Sequence, residues 1–425
     1  MKSAAAGRPA ASGPGPRIGL ALAGGGPLGA IYEIGALCAI EEAIPGLDLN
    51  DLAGYVGVSA GGFVAAGLAN GMTPRQLCAS FIENRGSKAD VVHPTVFFRP
   101  AWAAYLRCLA LLPGHLARAG YAYTFQRQSL LAALERLGRA LPTGLFTQGP
   151  LQTELQRMFS EPGRSDDFRR LGRKLVIVAT DLDSGETAPF GQPGWDHVPI
   201  SRAVAASAAL PGLFPPLAID GRWYVDGALK KTLHARVLLD MGLDLVICLN
   251  PLVPFMADPA GGRSRRHRVL GGATAPIPHL VQGGLPLVLS QTFRSLIHSR
   301  LELGMLGYET SHPATDILLF EPDHGDPELF LANAFDYSQR QLLAEHAYQR
   351  TRAHLRSHRG GIGATLARHG LMLDDVALDA PRQHLLPRRR ALGARRPART
   401  TRAGQALQRL DEVLNDLQRT LASRS

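Results

Sequence analysis

Residues 54–69 read Gly-Tyr-Val-Gly-Val-Ser-Ala-Gly-Gly-Phe-Val-Ala-Ala-Gly-Leu-Ala. The first five, Gly54 to Val58, form a short apolar run that suits a buried strand. Ala60 to Ala69 is a run of small and apolar residues that suits a packed helix. Between them stands Ser59, flanked at two residues on either side by Gly57 and Gly61. That arrangement predicts a nucleophile elbow, a tight strand-to-helix turn that lifts a hydroxyl clear of the backbone, with the two glycines supplying the room. The competing reading is an ordinary glycine-bearing turn.

Upstream, Arg17 to Ala23 is a second strand-like run. It ends in Gly24-Gly25-Gly26-Pro27-Leu28-Gly29, and Leu28 to Ala43 then carries apolar residues at helical spacing. Strand, helix, strand, helix is the βαβ pattern of a parallel sheet covered on both faces. Further strands are expected at Lys174–Thr180, Arg222–Asp226, Asp244–Asn250 and Asp316–Glu321, and further helices at Leu287–Leu306 and Ser338–Leu355. The fold class is therefore α/β, with a mostly parallel central sheet and helices on both faces. The region of about residues 85–148 interrupts the rhythm with Trp102, Tyr105, Tyr121, Tyr123 and Phe125 among Leu, Ala and Arg. It reads as a helical insertion, packed on the core or placed as a lid that touches lipid.

The glycine loop leads into a helix and so directs backbone N–H groups at an anion. It lacks the Gly-Lys-Ser/Thr of a P-loop. Gly24, Gly26 and Gly29 fit a dinucleotide fingerprint, with Asp48 or Asp51 as the acidic residue about 20 positions on, but that reading leaves Ser59 and Asp226 unexplained. As an oxyanion hole the loop would supply donors worth roughly 3–4 kcal/mol each to a transition state. Pro27 has no N–H, so Gly25 and Gly26 are the expected donors. Asp226-Gly227 is by itself a turn signal. Following Trp223-Tyr224-Val225, it also places a carboxylate at a strand end, where parallel sheets gather their sites. A carboxylate of pKa about 4 is a poor base at neutral pH, and burial would raise it. His234, His298, His312 and His324 leave a Ser-Asp-His triad open, although none sits in a distinctive local pattern.

The chain has 425 residues and a net charge of +10. Eight arginines between Pro381 and Arg402, with no acidic residue among them, account for +8 of it. The basic character belongs to a tail rather than to the catalytic body, and the tail lacks the aromatic interleaving of a nucleic-acid module. Cys38, Cys78, Cys108 and Cys248 are scattered in apolar surroundings and read as buried reduced thiols. No Cys/His pattern has zinc-ligand spacing, so neither a metal nor a cofactor is expected. Ile18 to Tyr32, the longest uncharged stretch near the start, has 15 residues and five glycines. A transmembrane helix needs about 20 apolar residues, so a cytoplasmic location is the expectation. Leu407, Leu410, Val413, Leu414, Leu417 and Leu421 form one apolar stripe on a helix, which could engage a protein partner.

Five segments together resemble the patatin-like phospholipase family of bacterial type. They are Gly24–Gly29, Gly57–Gly61, Ala179-Thr180-Asp181-Leu182 with Gly185, Ala206–Pro216 and Asp226-Gly227-Ala228. The resemblance implies a three-layer α/β/α fold, calcium-independent hydrolysis of acyl esters in phospholipids or lysophospholipids, and a Ser-Asp dyad without histidine. On that pattern Ser59 is the nucleophile, Asp226 the base, and Gly24, Gly25 and Gly26 the oxyanion hole. The family loop commonly carries Arg or Lys where this chain has Leu28, which implies modest activity or a less anionic substrate. The implied organisation is a flexible segment at 1–16, a hydrolase domain at 17–357, a Gly/Ala/Arg-rich linker at 358–404 and an amphipathic helix at 405–425. The expected partners are a lipid substrate and, peripherally, an anionic membrane, with no specific nucleic acid. An esterase for another lipid or a storage polyester, and a silent lipid-binding protein of the same fold, remain the alternatives.

Overall fold

The computed structural model describes residues 15–86, 91, 99–125, 142–256, 280–330, 332, 339–380 and 383–386. Its centre is an eight-stranded sheet in the order β5-β6-β3-β2-β1-β7-β8, with β4 paired to β3. The strands are β1 (Ile18–Leu22), β2 (Gly54–Val58), β3 (Lys174–Asp181), β4 (Thr187–Phe190), β5 (Leu217–Ile219), β6 (Arg222–Asp226), β7 (Leu245–Leu249) and β8 (Asp316–Phe320). Strands β3, β2, β1, β7 and β8 run parallel, while β4, β5 and β6 are antiparallel to their neighbours. In β1, β2 and β7 every residue is buried, as expected of parallel strands covered on both faces.

The main helices are α1 (Gly26–Ala43), α2 (Ala60–Ala69), α3 (Trp102–Phe125), α4 (Gly149–Phe159), α5 (Ile200–Ser207), α6 (Gly284–Ser311), α7 (Arg340–Ser357) and α8 (Arg359–Arg368). Helix α1 starts with Pro27 in its first turn, where a missing N–H costs nothing. It is apolar almost all round and buried, packed against α7 and α2. On the other face of the sheet, Leu233, Leu238, Leu239 and Leu243 pack with Val56, Val176, Val246, Leu301 and Tyr308.

Three expectations need correction. Asp226 closes a strand that runs antiparallel to β3, so it does not sit at the end of a parallel strand. The expected linker begins as structure: α8 and a helical turn at Asp375–Asp379 lie within a compact unit that ends at Leu385. Leu366 and Leu378 are buried, and Arg368 and His369 both hold Asp316 at the start of β8. Apolar anchoring at these few positions outweighs the Gly/Ala composition. Finally, Cys108 on α3 is half exposed, whereas the other three cysteines are buried. Within the insertion, α3 carries Pro113 in its interior. Residues 126–141 of the insertion, residues 1–14, and residues 387–425 with the arginine run and the leucine stripe lie outside the described residues.

Candidate active site

Ser59 adopts φ 53° and ψ −120° between β2 and α2. A positive φ at a non-glycine residue is strained, and the packing around it has to hold it there. Two glycines permit that packing. A Cβ on Gly57 would lie 2.5 Å from the Gly61 carbonyl oxygen, and one on Gly61 would lie 2.5 Å from the Ala23 oxygen. The turn folds tightly only because both side chains are absent.

A third residue fixes the elbow. The Ser59 N–H donates to Ser207 Oγ (2.7 Å), and the Ser207 hydroxyl donates to the Val178 carbonyl (2.5 Å). Ser207 ends α5, whose start is held by Asp166 through the backbone and side chain of Ser201. Ser207 lies in the Ala206–Pro216 segment, and its neighbours in sequence give no sign of this role. Its hydrogen bonds span 148 and 29 positions, and no local pattern signals them.

Sheet register brings Asp226 level with Ser59. Val58 pairs with Val178, the next residue of β3 is Ala179, and Ala179 pairs with Asp226. The Ser59 hydroxyl donates to Asp226 Oδ2 at 2.7 Å. The other carboxylate oxygen accepts the Ala228 N–H at 2.8 Å, and the Asp226 N–H donates to Ala209. Ser59 and Asp226 are both nearly closed off from solvent, at 5% and 4% exposed. Burial pushes the Asp226 carboxyl up to about 6, although the Ala228 amide and the Ser59 hydroxyl pull it down. Burial thus makes it a better proton acceptor than an ordinary aspartate, as expected for a desolvated acid.

The glycine loop closes over the same spot. A Cβ on Gly24 would meet Ser59 Cβ at 3.3 Å and Ala228 Cβ at 2.9 Å. Gly25 precedes α1, and Gly26 has φ +59° with open space beside it. The first turn of α1 packs against that of α2, since a Cβ on Gly29 would lie 3.8 Å from Ala60 Cβ. Two helix N-termini therefore face one region, an arrangement that favours negative charge. Leu28 is half-buried in that first turn.

The dinucleotide reading fails on topology. Strands β1 and β2 are parallel, so the loop after β1 and the residues before β2 lie at opposite edges of the sheet. Asp48 and Asp51 precede β2, and Asp51 pairs with Arg173. Among the described residues, none of the four candidate histidines hydrogen-bonds to Ser59 or Asp226. His234 is buried, and burial followed by Lys231 and Lys230 pushes it down to about 4, so it is neutral. His312 lies 3.2 Å from Asp240, and the His298 and His324 rings pack on each other. Glu33 on α1 is wholly buried, and burial raises its carboxyl well above the usual range. A surface hollow of about 560 Å³, lined by Phe159, Arg164, Asp166 and Arg170 among others, includes neither Ser59 nor Asp226.

A profile of the patatin-like phospholipase family matches residues 20–239, just over half the chain. Among solved structures, VipD from Legionella pneumophila is 16% identical with a TM-score of 0.35, covering 81% of this chain and 67% of VipD. The type III effector protein ExoU is 18% identical with a TM-score of 0.32, covering 81% of this chain and 53% of ExoU. Full-length ExoU from Pseudomonas aeruginosa, in complex with SpcU, is 20% identical with a TM-score of 0.24, covering 46% of this chain and 38% of that one. The chain thus spans about two thirds of VipD and about half or less of the ExoU chains. The matched region contains the glycine loop, the strained serine and the buried aspartate, and the chain belongs to the patatin-like phospholipase family of lipid-hydrolysing enzymes.

Proposed function

We propose that this protein is a serine lipid acyl hydrolase that cleaves phospholipid or lysophospholipid esters with Ser59 as nucleophile and Asp226 as base. The observation that carries the reading is the 2.7 Å hydrogen bond from Ser59 Oγ to a buried carboxylate whose pKa is raised to about 6. Asp226 takes the hydroxyl proton as Oγ attacks the ester carbonyl. The N–H groups of Gly25 and Gly26, with Gly24 closing the loop against Ser59, receive the developing oxyanion. Collapse expels the lipid alkoxide, which takes the proton back from Asp226 and leaves an acyl-serine. Water then gives a proton to Asp226 and its oxygen attacks the acyl carbonyl. The fatty acid departs and Ser59 recovers its proton.

Exposed apolar side chains support a lipid substrate delivered at a surface. Trp102, Leu106 and Leu109 on α3 face solvent, as do Leu285, Phe293 and Leu296 on α6. Hydrogen bonds tie both helices to segments that adjoin Asp226. Tyr105 of α3 donates to the Leu145 carbonyl, Leu145 N–H donates to Gly212, and Asp226 is held by Ala209 of the same segment. On α6, Arg300 donates to Leu229 in the turn that follows Asp226. No helix of the described residues is long and apolar enough to cross a membrane, and contact of these ridges with a lipid surface is peripheral. In this reading α3 borders the entrance as a lid.

An active-serine probe is the direct test. Labelling of the full chain that disappears in Ser59→Ala, together with fatty-acid release from phosphatidylcholine or its lysolipid, is the expected result. Absence of labelling in the folded protein would favour a silent lipid-binding protein. Labelling with release only from triglyceride or polyhydroxyalkanoate would move the substrate class.

A further inference from the structure

A second polar cluster lies at the ends of β7 and β8, outside the dyad. Glu321 directly follows β8, His324 comes three residues later, and His298 reaches them from α6. One ligand atom from each lies within 4.8 Å of the other two. His298 Nδ1 is 3.6 Å from Glu321 Oε1, and the two imidazoles meet edge-on with centroids 4.8 Å apart. The Nδ1 atoms of both rings are buried without a hydrogen-bond partner among the described residues, and His298 is only 8% exposed. Buried ring nitrogens without partners are costly and need an explanation.

We propose that His298, Glu321 and His324 bind a divalent transition-metal ion of the zinc type, through Nδ1 of both imidazoles and a carboxylate oxygen of Glu321. The surrounding groups are arranged as outer partners of such a site. His298 Nε2 lies 3.4 Å from Glu302 Oε1. A proton carried on Nε2 toward that carboxylate leaves the Nδ1 lone pair free for a cation. Asn250, at the end of β7, donates to Glu321 Oε1 at 2.7 Å and fixes that carboxylate. Two imidazoles and one carboxylate suit zinc or cobalt better than calcium or magnesium, and they leave a fourth position for water. Tetrahedral zinc with bonds of about 2.1 Å sets its ligand atoms about 3.4 Å apart. The His298–Glu321 pair already has nearly that spacing, and His324 completes the site by turning inward.

The position gives the ion a role. It clips α6 to the β7–β8 end of the sheet. Pro251, next to Asn250, packs on the glycine loop: its Cγ would lie 2.7 Å from a Cβ on Gly25 and 3.1 Å from one on Gly29. The ion therefore stiffens the wall behind the loop and takes no part in acyl transfer.

The test uses the full chain carrying Ser59→Ala, stripped with a chelator and titrated with Co²⁺ and Zn²⁺. In this background the result does not depend on hydrolysis. The expected outcome is one equivalent of Co²⁺ with the intense visible bands of a four-coordinate ion, displaced by Zn²⁺, and a higher thermal midpoint when loaded. His324→Ala should weaken binding at least 100-fold, and the near-isosteric Glu321→Gln at least tenfold, both with the circular dichroism of the parent. No saturable binding by the stripped parent overturns the proposal. So does one equivalent bound at parental affinity by a folded His298→Ala/His324→Ala variant, which would place the ion elsewhere on the chain.

Discussion

The elbow and the two flanking ridges treat polarity in opposite ways. At the elbow, polar groups are buried: Ser59, Ser207 and Asp226 lie in the interior, and each hydrogen-bonds to another or to nearby backbone. On α3 and α6, large apolar side chains are exposed, with Trp102 at 68% and Phe293 at 51%. A water-soluble fold would normally do the reverse at both places. In the proposed function the difference separates two tasks. Proton transfer from a serine to an aspartate needs a dry, fixed geometry, because only desolvation lifts the acid toward neutral pH. Taking an acyl chain from a lipid phase needs apolar surface facing outward. Substitutions that exchange the two environments should therefore have effects that differ in kind as well as in size.

The largest effect belongs to the buried pair. Ser59→Ala and Asp226→Asn should each lower kcat/KM on a soluble thioester by about 10⁴-fold, since members of one catalytic unit fail together. A histidine variant with an equal loss and an intact fold would break the comparison. Below pH of about 6 the wild-type rate should fall about tenfold per pH unit, because the base must be ionised. The same group has a stability signature of opposite sign. Asp226 protonates at about 6 when folded and near 4 when unfolded, so the folded state holds its proton more tightly. Stability should fall as pH rises from about 4 to about 6 and then stay lower by about 3 kcal/mol. Asparagine carries no such charge. Asp226→Asn should therefore be inactive yet more stable above pH 6, by up to that amount, with the gain vanishing near pH 4. Urea unfolding at pH 4 and pH 8 measures it.

Backbone proximity at the elbow comes next. Gly61→Ala places a methyl against the Ala23 and Leu22 backbone, which cannot yield as a side-chain tip can. A loss of about 3 kcal/mol in unfolding free energy is expected. Ser207→Ala is milder but more diagnostic. It strips the Ser59 N–H of its acceptor and the Val178 carbonyl of its donor, and each buried group left unmatched costs about 1–3 kcal/mol. With the serine loosened, kcat should drop about 10- to 100-fold while KM hardly moves. Equal losses in kcat and stability with a raised KM would reduce Ser207 to a packing residue.

Legibility followed the range of the interactions. The elbow, the glycine loop and Asp226-Gly227 are local patterns, and their residues converge in space. Strands β1, β2, β3 and β7 are apolar runs buried on both faces, and β8 is a half-buried apolar run, so the run of apolar residues alone locates them. β4 and β5 were missed because each is four residues or fewer and carries proline or glycine at or near its ends. The antiparallel direction of β6 was illegible because it depends on a hairpin with β5 through Asp220-Gly221, where both residues have positive φ. Ser207 was illegible for the reason given above, and so was the His298–Glu321–His324 cluster, which joins a helix to a loop beyond the next strand. Helix α8 is hidden in a Gly/Ala-rich stretch because composition weighs every residue alike, whereas the buried residues of this helix are Ile362 and Leu366.

The smallest effect concerns the ridges, and it is the one that separates substrate delivery from chemistry. Leu106 on α3 and Phe293 on α6 are exposed at 65% and 51%, so replacing them with serine removes no core contact and should leave the melting midpoint within about 1 °C. In contact with lipid, each side chain would give up water for an apolar phase, at most about 2 kcal/mol apiece and less for partial insertion. The double variant Leu106→Ser/Phe293→Ser should therefore bind phosphatidylcholine vesicles about tenfold more weakly, with fatty-acid release from vesicles reduced in proportion. Hydrolysis of a short, freely soluble ester should not change. A parallel loss on the soluble ester would mean that the ridges shape the dyad itself, and unchanged vesicle binding would mean that lipid reaches Ser59 by a route that avoids both helices.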